Sequence, residues 1–302
     1  MIKAVSGSDS HSGSGLEVDQ AFRGAWQRLE QAGIESARTD ARLLLGMVLG
    51  GGAERVLAEK GRALTADETA RFEALLIRRL THEPMSYIRG SREFWSLDFK
   101  VTPATLTPRP DTETLVEAVL DHAQQPVTKV LDLGTGSGCI VLALLSEWPN
   151  AQGVGVDASM EALSVAGENA RSLGLNKRAH FKQANWTEAA WSRDLGAPFD
   201  VVVSNPPYIP ADDIDALDED VRAFEPLAAL DGGADGLDAY RTIIASGAAL
   251  VAPGGLLAFE VGIGQAEDVA NLLKNAGFTV LETRKDLAGI ARAVVEQSTA
   301  PI

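Results

Sequence analysis

The sequence predicts an α/β protein in which a doubly wound, mostly parallel seven-stranded sheet follows a small N-terminal bundle of helices. Residues 16–83 show helical periodicity throughout, whereas from residue 128 onward short apolar runs alternate with helical stretches. Alternation of strands and helices is typical of a parallel sheet that binds its ligand at the carboxyl ends of the strands.

The N-terminal region is predicted to form three or four short helices, each with one apolar face. Apolar residues recur there at intervals of three and four, the glycines at 50–52 end one helix, and Thr65 with Glu68 forms a capping box at the start of another. The apolar positions are Val18, Phe22, Trp26 and Leu29; Ala41, Leu44, Leu45 and Val48; and Phe72, Leu75, Leu76 and Leu80. We assign residues 1–15, rich in Ser and Gly, to a disordered tail. Residues 16–85 are assigned to a helical domain, and Pro84 is expected to end its helices. This domain either docks a substrate or serves only for packing.

A linker is predicted at residues 86–110. The stretch "REFWSLDFKVTP" at 92–103 is rich in aromatic and β-branched residues, which favours a short hairpin. After two prolines, Asp111 is predicted as the N-cap of a helix that carries Leu115, Val116, Val119 and Leu120.

The remaining domain, residues 111–302, contains all seven strands of the predicted sheet. The strands are expected at 128–133, 152–156, 179–183, 199–204, 254–260, 278–283 and 292–296, and the helices at 138–147, 159–173, 238–250 and 265–275.

Composition limits the classes of function. A net charge of −15 argues against a free-standing nucleic-acid binder, because such proteins neutralise phosphates with Lys and Arg. A single cysteine, Cys139, excludes an internal disulfide, and the four histidines have no ligand-like spacing, so no metal site is expected. No apolar run reaches the roughly 18 residues of a membrane span, and the N-terminus has no signal-peptide core. We therefore expect a cytoplasmic protein that does not bind membranes.

A glycine loop follows the first predicted strand of the sheet. The stretch "VLDLGTGSGCI" places Gly134, Gly136 and Gly138 between a strand and a helix, where glycine permits a tight turn and close approach of a ligand. Asp157 ends the next strand, where an acid would hold a ribose diol. A nucleoside ligand is the favoured interpretation, and packing of the turn is the alternative.

The spacing of the loop favours S-adenosylmethionine over a dinucleotide. Its pattern is G-x-G-x-G rather than G-x-G-x-x-G, and no phosphate-binding G-x-x-x-x-G-K-[ST] loop is present. Asp132 is expected either to receive the α-ammonium group of this ligand or to act as a structural cap.

The stretch "FDVVVSNPPYIP" ends a buried strand in a rigid polar corner. The side-chain oxygen of Asn205 and the main-chain carbonyl of Pro206 are each expected to accept one N–H of a planar NH₂ group. Pro206 and Pro207 restrict the backbone, so both acceptors are set in advance, and Tyr208 is expected to lie against the planar group. Methyl transfer to such a nitrogen depends chiefly on positioning.

Together, "DLGTGSG", "NPPY" and "PRPDTE" closely resemble the protein-glutamine methyltransferases of peptide chain release factors, the PrmC/HemK family, from about residue 16 onward. The resemblance extends to "EPMSYIRGSREFW", "FEPLAALDGGADGLDAYR" and "DLAGIARAVV". It implies a class I methyltransferase fold and methylation of the glutamine in the Gly-Gly-Gln motif of release factors, which gives N5-methylglutamine. It also implies cofactor contacts from Asp132, Leu133, Gly134, Thr135, Gly136, Gly138, Asp157, Trp186 and Asn205. The substrate glutamine would lie on Asn205, Pro206, Pro207 and Tyr208.

Two departures and three alternatives accompany this resemblance. Asn185 stands where many relatives carry Asp, so a charged contact to the adenine amine is not expected, although the amide oxygen could still accept. Val261 stands where many carry a polar residue, and no chemistry is assigned to that stretch. Arg109 and Glu113 are expected either to line the substrate mouth or to fix the start of a helix. The alternatives are a glutamine methyltransferase acting on a large-subunit ribosomal protein, an adenine-N6 nucleic-acid methyltransferase, and a non-catalytic adapter that binds S-adenosylmethionine.

Overall fold

The computed structural model describes residues 15–123, 126–188, 190–247 and 249–298. The tail predicted at residues 1–15 lies outside these ranges except for Gly15. The chain divides into two compact units, and the division falls between Arg89 and Gly90.

The first unit is helical, as predicted. Its helices are α1 (Val18–Gln31), α2 (Ala37–Val48), α3 (Ala53–Ala58), α4 (Ala66–Leu80) and α5 (Met85–Arg89). The predicted apolar positions Val18, Leu29, Leu44 and Leu76 are almost fully buried in one core. Pro84 does not end the unit, because α5 begins directly after it.

Two polar arrangements stabilise the helical unit. The capping box is confirmed, since Thr65 Oγ1 accepts from the Glu68 amide at 3.1 Å and the Glu68 carboxylate accepts from the Thr65 amide at 2.9 Å. Such caps contribute about 1 kcal/mol. Asp40 and Arg79 form a buried ion pair at 2.7 Å that joins α2 to α4. Ser36 donates a further hydrogen bond to Asp40, so the buried carboxylate has two partners.

The predicted hairpin opens the second unit. Strands β1 (Ser91–Phe94) and β2 (Leu97–Lys100) pair in antiparallel fashion, and the rings of Phe94 and Phe99 meet edge to face. The predicted N-cap at Asp111 is wrong. Asp111 lies inside a 3-10 turn (Pro110–Thr112) that precedes α6 (Glu113–His122), and its carboxylate pairs with Arg292 at 2.9 Å.

The seven-stranded sheet is confirmed, with the order β5-β4-β3-β6-β7-β9-β8. Its strands are β3 (Lys129–Leu133), β4 (Gln152–Asp157), β5 (Ala179–Gln183), β6 (Phe199–Ser204), β7 (Val251–Glu260), β8 (Phe278–Lys285) and β9 (Ala291–Ser298). Strands β3 to β7 are parallel, and β9 runs antiparallel to both β7 and β8. Strand β7 begins three residues before its predicted start, because a register shift against β6 accommodates Pro253 and two glycines within the strand.

Helices cover both faces of the sheet. One core joins the sheet to α6, α7 (Cys139–Glu147) and the end of α8 (Met160–Ser172). The other core joins it to α10 (Asp238–Gly247) and α11 (Ala266–Asn275). Between β6 and β7 the chain also forms two 3-10 turns (Ala211–Ala216 and Leu227–Ala229) and the short helix α9 (Glu219–Phe224). These three elements were not predicted.

The strand order reverses between β3 and β6. The chain moves outward from β3 to β4 and β5, and then returns to place β6 on the other side of β3. Loops that follow β3 and β6 therefore diverge and leave a crevice at their carboxyl ends, which is the usual ligand site of such sheets. Within the described ranges, no helix is long and apolar enough to cross a membrane.

Strand β9 carries a carboxylate inside the core. Glu296 is fully buried, pairs in register with Leu257 of β7 and Val280 of β8, and neither of its carboxylate oxygens has a hydrogen-bond partner among the described residues. Burial raises the pKa of Glu296 to about 8, and Lys274 of α11 opposes this shift.

Candidate active site

The glycine loop lies directly after β3, as predicted. Gly134, Gly136 and Gly138 have φ values of +73°, +53° and +81°, a backbone conformation that residues with a Cβ rarely adopt. At Gly134 a Cβ would also lie 3.2 Å from the indole ring of Trp186. Glycine at this position therefore gives both the turn and the close approach of a flat side chain.

Asp157 ties the glycine loop to the end of β4. Its two carboxylate oxygens accept from the amides of Gly136 and Ser159, both at 2.9 Å. A carboxylate oxygen has more than one acceptor position, so Asp157 can also accept hydrogen bonds from a ligand diol. Asp157 also lines the cavity that joins the glycine loop to the Asn-Pro-Pro-Tyr corner.

Asp132 lies beneath the loop rather than on the cavity wall. It is fully buried, one oxygen accepts from the Thr135 hydroxyl at 2.6 Å, and Oδ1 has no partner among the described residues. Burial raises the pKa of Asp132 to about 7, although the Thr135 hydrogen bond opposes the shift. A cationic group near Oδ1 would complete this site.

The residues after β5 have different roles. Trp186 is half-buried against Gly134 and lines the cavity. Asn185 also lines the cavity, but its side-chain oxygen already accepts from the amide and the hydroxyl of Thr187, at 3.0 and 2.8 Å. Both lone pairs of that oxygen are used, so it is not available to an adenine amine.

The Asn-Pro-Pro-Tyr corner follows β6 at the edge where the glycine loop lies. Ser204, the last residue of β6, donates from its hydroxyl to the Leu133 carbonyl at 2.7 Å and joins the two strand ends. Asn205 Nδ2 donates to Thr112 Oγ1 at 3.4 Å. This contact occupies the donor side of the carboxamide and leaves Oδ1 as an acceptor. Asn205 and Pro207 line the cavity.

Tyr208 faces inward, and the cavity lining does not include it. Its ring packs against the core that contains α10 and α11, and burial together with Glu260 raises the pKa of its hydroxyl to about 12. Gln265 holds the backbone of Tyr208, because Nε2 donates to the Tyr208 carbonyl at 2.9 Å while Oε1 accepts from the Gly262 amide at 3.0 Å. Contact of Tyr208 with a flat substrate group stays a prediction.

Glu260 is a residue of this region that the sequence reasoning missed. It ends β7, is 2% exposed, and lies beside the hydroxyls of Thr112 and Tyr208, which lower its pKa by hydrogen bonding. Burial outweighs them and raises the pKa to about 7. The available signal was an acid directly after a buried apolar run, at the same sheet edge as Asn205.

One cavity of about 500 Å³ joins the glycine loop to the corner. Its wall includes Gly134, Thr135, Gly136, Asp157, Trp186, Asn205 and Pro207 from the predicted set. Asp132, Leu133, Gly138, Pro206 and Tyr208 are not part of that wall. The structure adds two segments to the lining, residues 104–109 and most of residues 226–233.

An ion pair joins Arg109, at the end of the first added segment, to Glu225, which directly precedes the second. Arg109 Nη2 lies 2.6 Å from Glu225 Oε2, and the Glu225 side chain is 1% exposed. Arg109 lines the cavity, so the first of its two predicted roles fits the structure. Glu113 does not reach the cavity wall, since its carboxylate accepts from the Trp95 amide at 2.8 Å and fixes the hairpin.

No cluster of His, Cys, Asp and Glu that could hold a metal ion occurs among the described residues. Cys139 is buried at the start of α7, and burial raises the pKa of its thiol to about 12. A neutral buried thiol is a poor nucleophile.

Comparisons with known proteins find relatives over most of the chain. A model of the PrmC N-terminal domain matches residues 20–90, and a methyltransferase domain model matches residues 124–245. A release factor glutamine methyltransferase of Rhodospirillum rubrum is 51% identical over 278 residues, which cover 92% of this chain and 84% of that protein. One from Bradyrhizobium diazoefficiens is 45% identical over 295 residues, which cover 95% of this chain and 97% of that protein.

Solved structures support the fold alone. The catalytic domain of hMettl16, in complex with MAT2A 3'UTR hairpin 6, matches with a TM-score of 0.54 at 15% identity, over 80% of this chain and 86% of that one. A methyltransferase from Pyrococcus furiosus matches with a TM-score of 0.50 at 13% identity, over 78% of this chain and all of that one. The predicted class I methyltransferase fold is confirmed.

Proposed function

The chain belongs to the release factor glutamine methyltransferase family, and from that premise we propose its substrate, its cofactor and the roles of its residues. It transfers a methyl group from S-adenosylmethionine to the side-chain nitrogen of the glutamine in the Gly-Gly-Gln motif of peptide chain release factors. The observation that carries the proposal is the orientation of Asn205. Its Nδ2 donates to Thr112, so its Oδ1 is left as an acceptor within the cavity that the glycine loop also lines.

The residues of the corner hold the glutamine amide for reaction. Asn205 Oδ1 and the Pro206 carbonyl each accept one N–H of the substrate, which orients the face of the nitrogen toward the glycine loop. S-adenosylmethionine supplies a methyl carbon on a cationic sulfur, and a carbon–nitrogen bond forms while the carbon–sulfur bond breaks and its electron pair stays on sulfur. The methylated nitrogen then loses a proton to water. Fixing both partners in such a geometry can account for about 7–11 kcal/mol of barrier lowering.

The chain offers a fitting set of groups for S-adenosylmethionine. Asp157 accepts hydrogen bonds from the ribose diol, Trp186 lies along the adenine, and the backbone of residues 134–136 approaches the ligand closely. Asp132 lies beneath the loop and outside the cavity wall, and one of its oxygens accepts from Thr135, so we propose that it attracts the α-ammonium group from below through the charge of a buried carboxylate. Leu133 and Gly138 hold the loop in place from outside the cavity wall.

The helical unit is proposed to dock the release factor. It has a core of its own, separate from the two cores of the sheet unit, and it is the part of the chain that the PrmC N-terminal domain model matches. A separately packed module in the same chain as a methyltransferase unit is suited to recognising a protein substrate beyond the reacting side chain.

Methylation assays with labelled S-adenosylmethionine test the proposal. The acceptors are a release factor, its Gly-Gly-Gln variant with Gln→Ala, a large-subunit ribosomal protein and DNA. We expect label in the intact release factor and none in the Gln→Ala variant, and mass spectrometry should find one added methyl group on that glutamine. Equal labelling of the two release factors would disprove the assignment, and preferred labelling of ribosomal protein or DNA would move it to that substrate.

The docking role has its own test. A chain lacking residues 1–89 should retain affinity for S-adenosylmethionine and lose methylation of whole release factor, while a short Gly-Gly-Gln peptide should be methylated equally by both chains. Equal loss on both substrates would make the helical unit a folding element.

A further inference from the structure

We propose that Glu260 and Thr112 are positioning residues that fix which end of the Asn205 carboxamide faces the cavity. The inference deepens the proposed function and rests on it, because the reaction requires an acceptor at that point. A carboxamide has nearly the same shape after a half-turn that exchanges oxygen and nitrogen. In the wrong orientation, Nδ2 would face the N–H groups of the substrate amide, and neither group could accept.

The strand register brings the two side chains to the same edge. Ser204 of β6 pairs with Phe259 of β7, so Asn205 and Glu260 are the next residues along two adjacent parallel strands. Thr112, at the end of the 3-10 turn before α6, contacts both of them. Its Oγ1 lies 3.4 Å from Asn205 Nδ2, and its hydroxyl opposes the effect of burial on the pKa of Glu260 by hydrogen bonding to that carboxylate. Glu260 and Thr112 are each 2% exposed, so water does not compete for these contacts.

The direction of each hydrogen bond follows from the number of protons. A threonine hydroxyl has one proton to donate, and a carboxylate can only accept when it is ionised, which for Glu260 requires a pH above its pKa of about 7. Once Thr112 donates to Glu260, its lone pairs remain for an incoming N–H. Asn205 must then present Nδ2 to Thr112 and Oδ1 to the cavity. Glu260 thus determines which end of the Asn205 carboxamide faces the cavity, although it does not touch the substrate.

Several charged or titratable groups face Glu260 from the elements packed against it. Arg292 favours its ionised form, whereas Asp111 and burial disfavour it. Arg292 is shared, because it also pairs with Asp111 at 2.9 Å and with Asp286 at 3.1 Å. The groups that interact electrostatically with Glu260 are Asp111, Cys139, Tyr208, Tyr240 and Arg292. Glu260 Oε2 has no hydrogen-bond partner among the described residues, and hydrogen bonds from Thr112 and Tyr208 lower the pKa of this carboxyl group against the effect of burial.

Kinetics of a small set of variants test this relay, the chain of hydrogen bonds from Glu260 through Thr112 to Asn205. Thr112→Val keeps the shape and removes the hydroxyl, and we expect kcat to fall about tenfold, the equivalent of one hydrogen bond. The KM for S-adenosylmethionine should change less than about twofold, because Thr112 acts on the acceptor side. Thr112→Ser should restore most of the lost turnover. Glu260→Gln should lower kcat in the wild-type background and have no further effect in Thr112→Val, because the relay is already broken there.

The kinetic result that would overturn the proposal is additive loss in the double variant, or equal damage from Ser and Val at position 112. Thermal unfolding by circular dichroism accompanies each variant, and Thr112→Ala replaces Thr112→Val if the latter does not fold. These comparisons separate positioning from a general loss of packing.

Nuclear magnetic resonance supplies a measurement that needs no methyl acceptor. The side-chain amide protons of Asn205, assigned by comparison with Asn205→Asp, should move upfield and exchange faster with water in Thr112→Val. In the wild type they should also shift as Glu260 titrates near pH 7, and Thr112→Val should abolish that shift. Unchanged amide signals in Thr112→Val would overturn the relay even in an active enzyme. Absence of release factor methylation with responsive amide signals would instead overturn the proposed substrate.

Discussion

Replacing Glu296 by Gln should remove much of the pH dependence of stability in the sheet unit. Glu296 is fully buried in β9 with no hydrogen-bond partner among the described residues, and its pKa rises from 4.5 in a model peptide to about 8. The folded protein therefore prefers the protonated carboxyl group. The stability that the neutral form provides is complete below pH 4.5 and is lost as the pH rises toward 8.

The magnitude follows from the size of the shift. Each unit of pH between the two pKa values costs about 1.4 kcal/mol, so the contribution of Glu296 falls by about 2–3 kcal/mol between pH 5 and pH 7. That is a large part of the 5–15 kcal/mol typical of a folded domain. A buried glutamine amide also lacks a partner, but its cost of about 1–3 kcal/mol is the same at every pH. The slope with pH, rather than the absolute stability, is therefore diagnostic.

Urea unfolding followed by circular dichroism at pH 5, 6, 7 and 8 measures the slope. The free energy of unfolding of Glu296→Gln, relative to the wild type, should increase by about 2–3 kcal/mol from pH 5 to pH 7. Glu282→Gln on the neighbouring strand β8 is the matched control. Hydrogen bonds from Arg284 lower the pKa of Glu282, so its contribution is present at neutral pH and lost as the pH falls. Parallel pH profiles for the wild type and Glu296→Gln would refute the reasoning.

Three further substitutions address the cavity. Asn205→Ala should lower turnover on release factor on the order of 10²–10³-fold, by analogy with the loss of a preorganised hydrogen bond at a reacting centre, and should change cofactor affinity little; near-normal single-turnover rates would contradict its role. Gly134→Ala should weaken binding of S-adenosylmethionine in calorimetry, because a Cβ at φ +73° would be strained and would lie 3.2 Å from the Trp186 ring; unchanged affinity would show that the loop adapts. Arg109→Ala leaves Glu225 buried without its cation, so thermal unfolding should occur at a lower temperature. The double variant Arg109→Ala/Glu225→Gln should recover part of that loss, and an equal loss in both variants would show that the ion pair does not contribute to thermal stability.

The sequence predicted the elements whose pattern is local. The capping box at Thr65, the glycine loop at residues 134–138 and the corner at Asn205 each lie within a few consecutive residues, where backbone preferences and side-chain chemistry act together. The alternation of strands and helices likewise predicted the sheet, because each strand must bury its apolar side chains.

The parts that sequence reasoning missed depend on contacts between distant segments. Glu260 is 55 residues from Asn205 in the chain (260 − 205), and the β6–β7 register brings them together. Asp111 looked like an N-cap, yet Arg292 of β9 is its partner, 181 residues away (292 − 111). A charged residue at a strand end gives no sign in the sequence of which neighbour will satisfy it.

The hold of Gln265 on the Asn-Pro-Pro-Tyr corner has a consequence for heat inactivation. Gln265 precedes α11 as its N-cap residue, and its side chain joins the backbone of Tyr208 to that of Gly262. Helix ends fray before helix centres, and local opening costs less than global unfolding. On gentle warming, fraying of the first turn of α11 would release the corner while the glycine loop after β3 stayed folded. Such an enzyme would stop transferring methyl groups at a temperature where it still retained its nucleoside ligand.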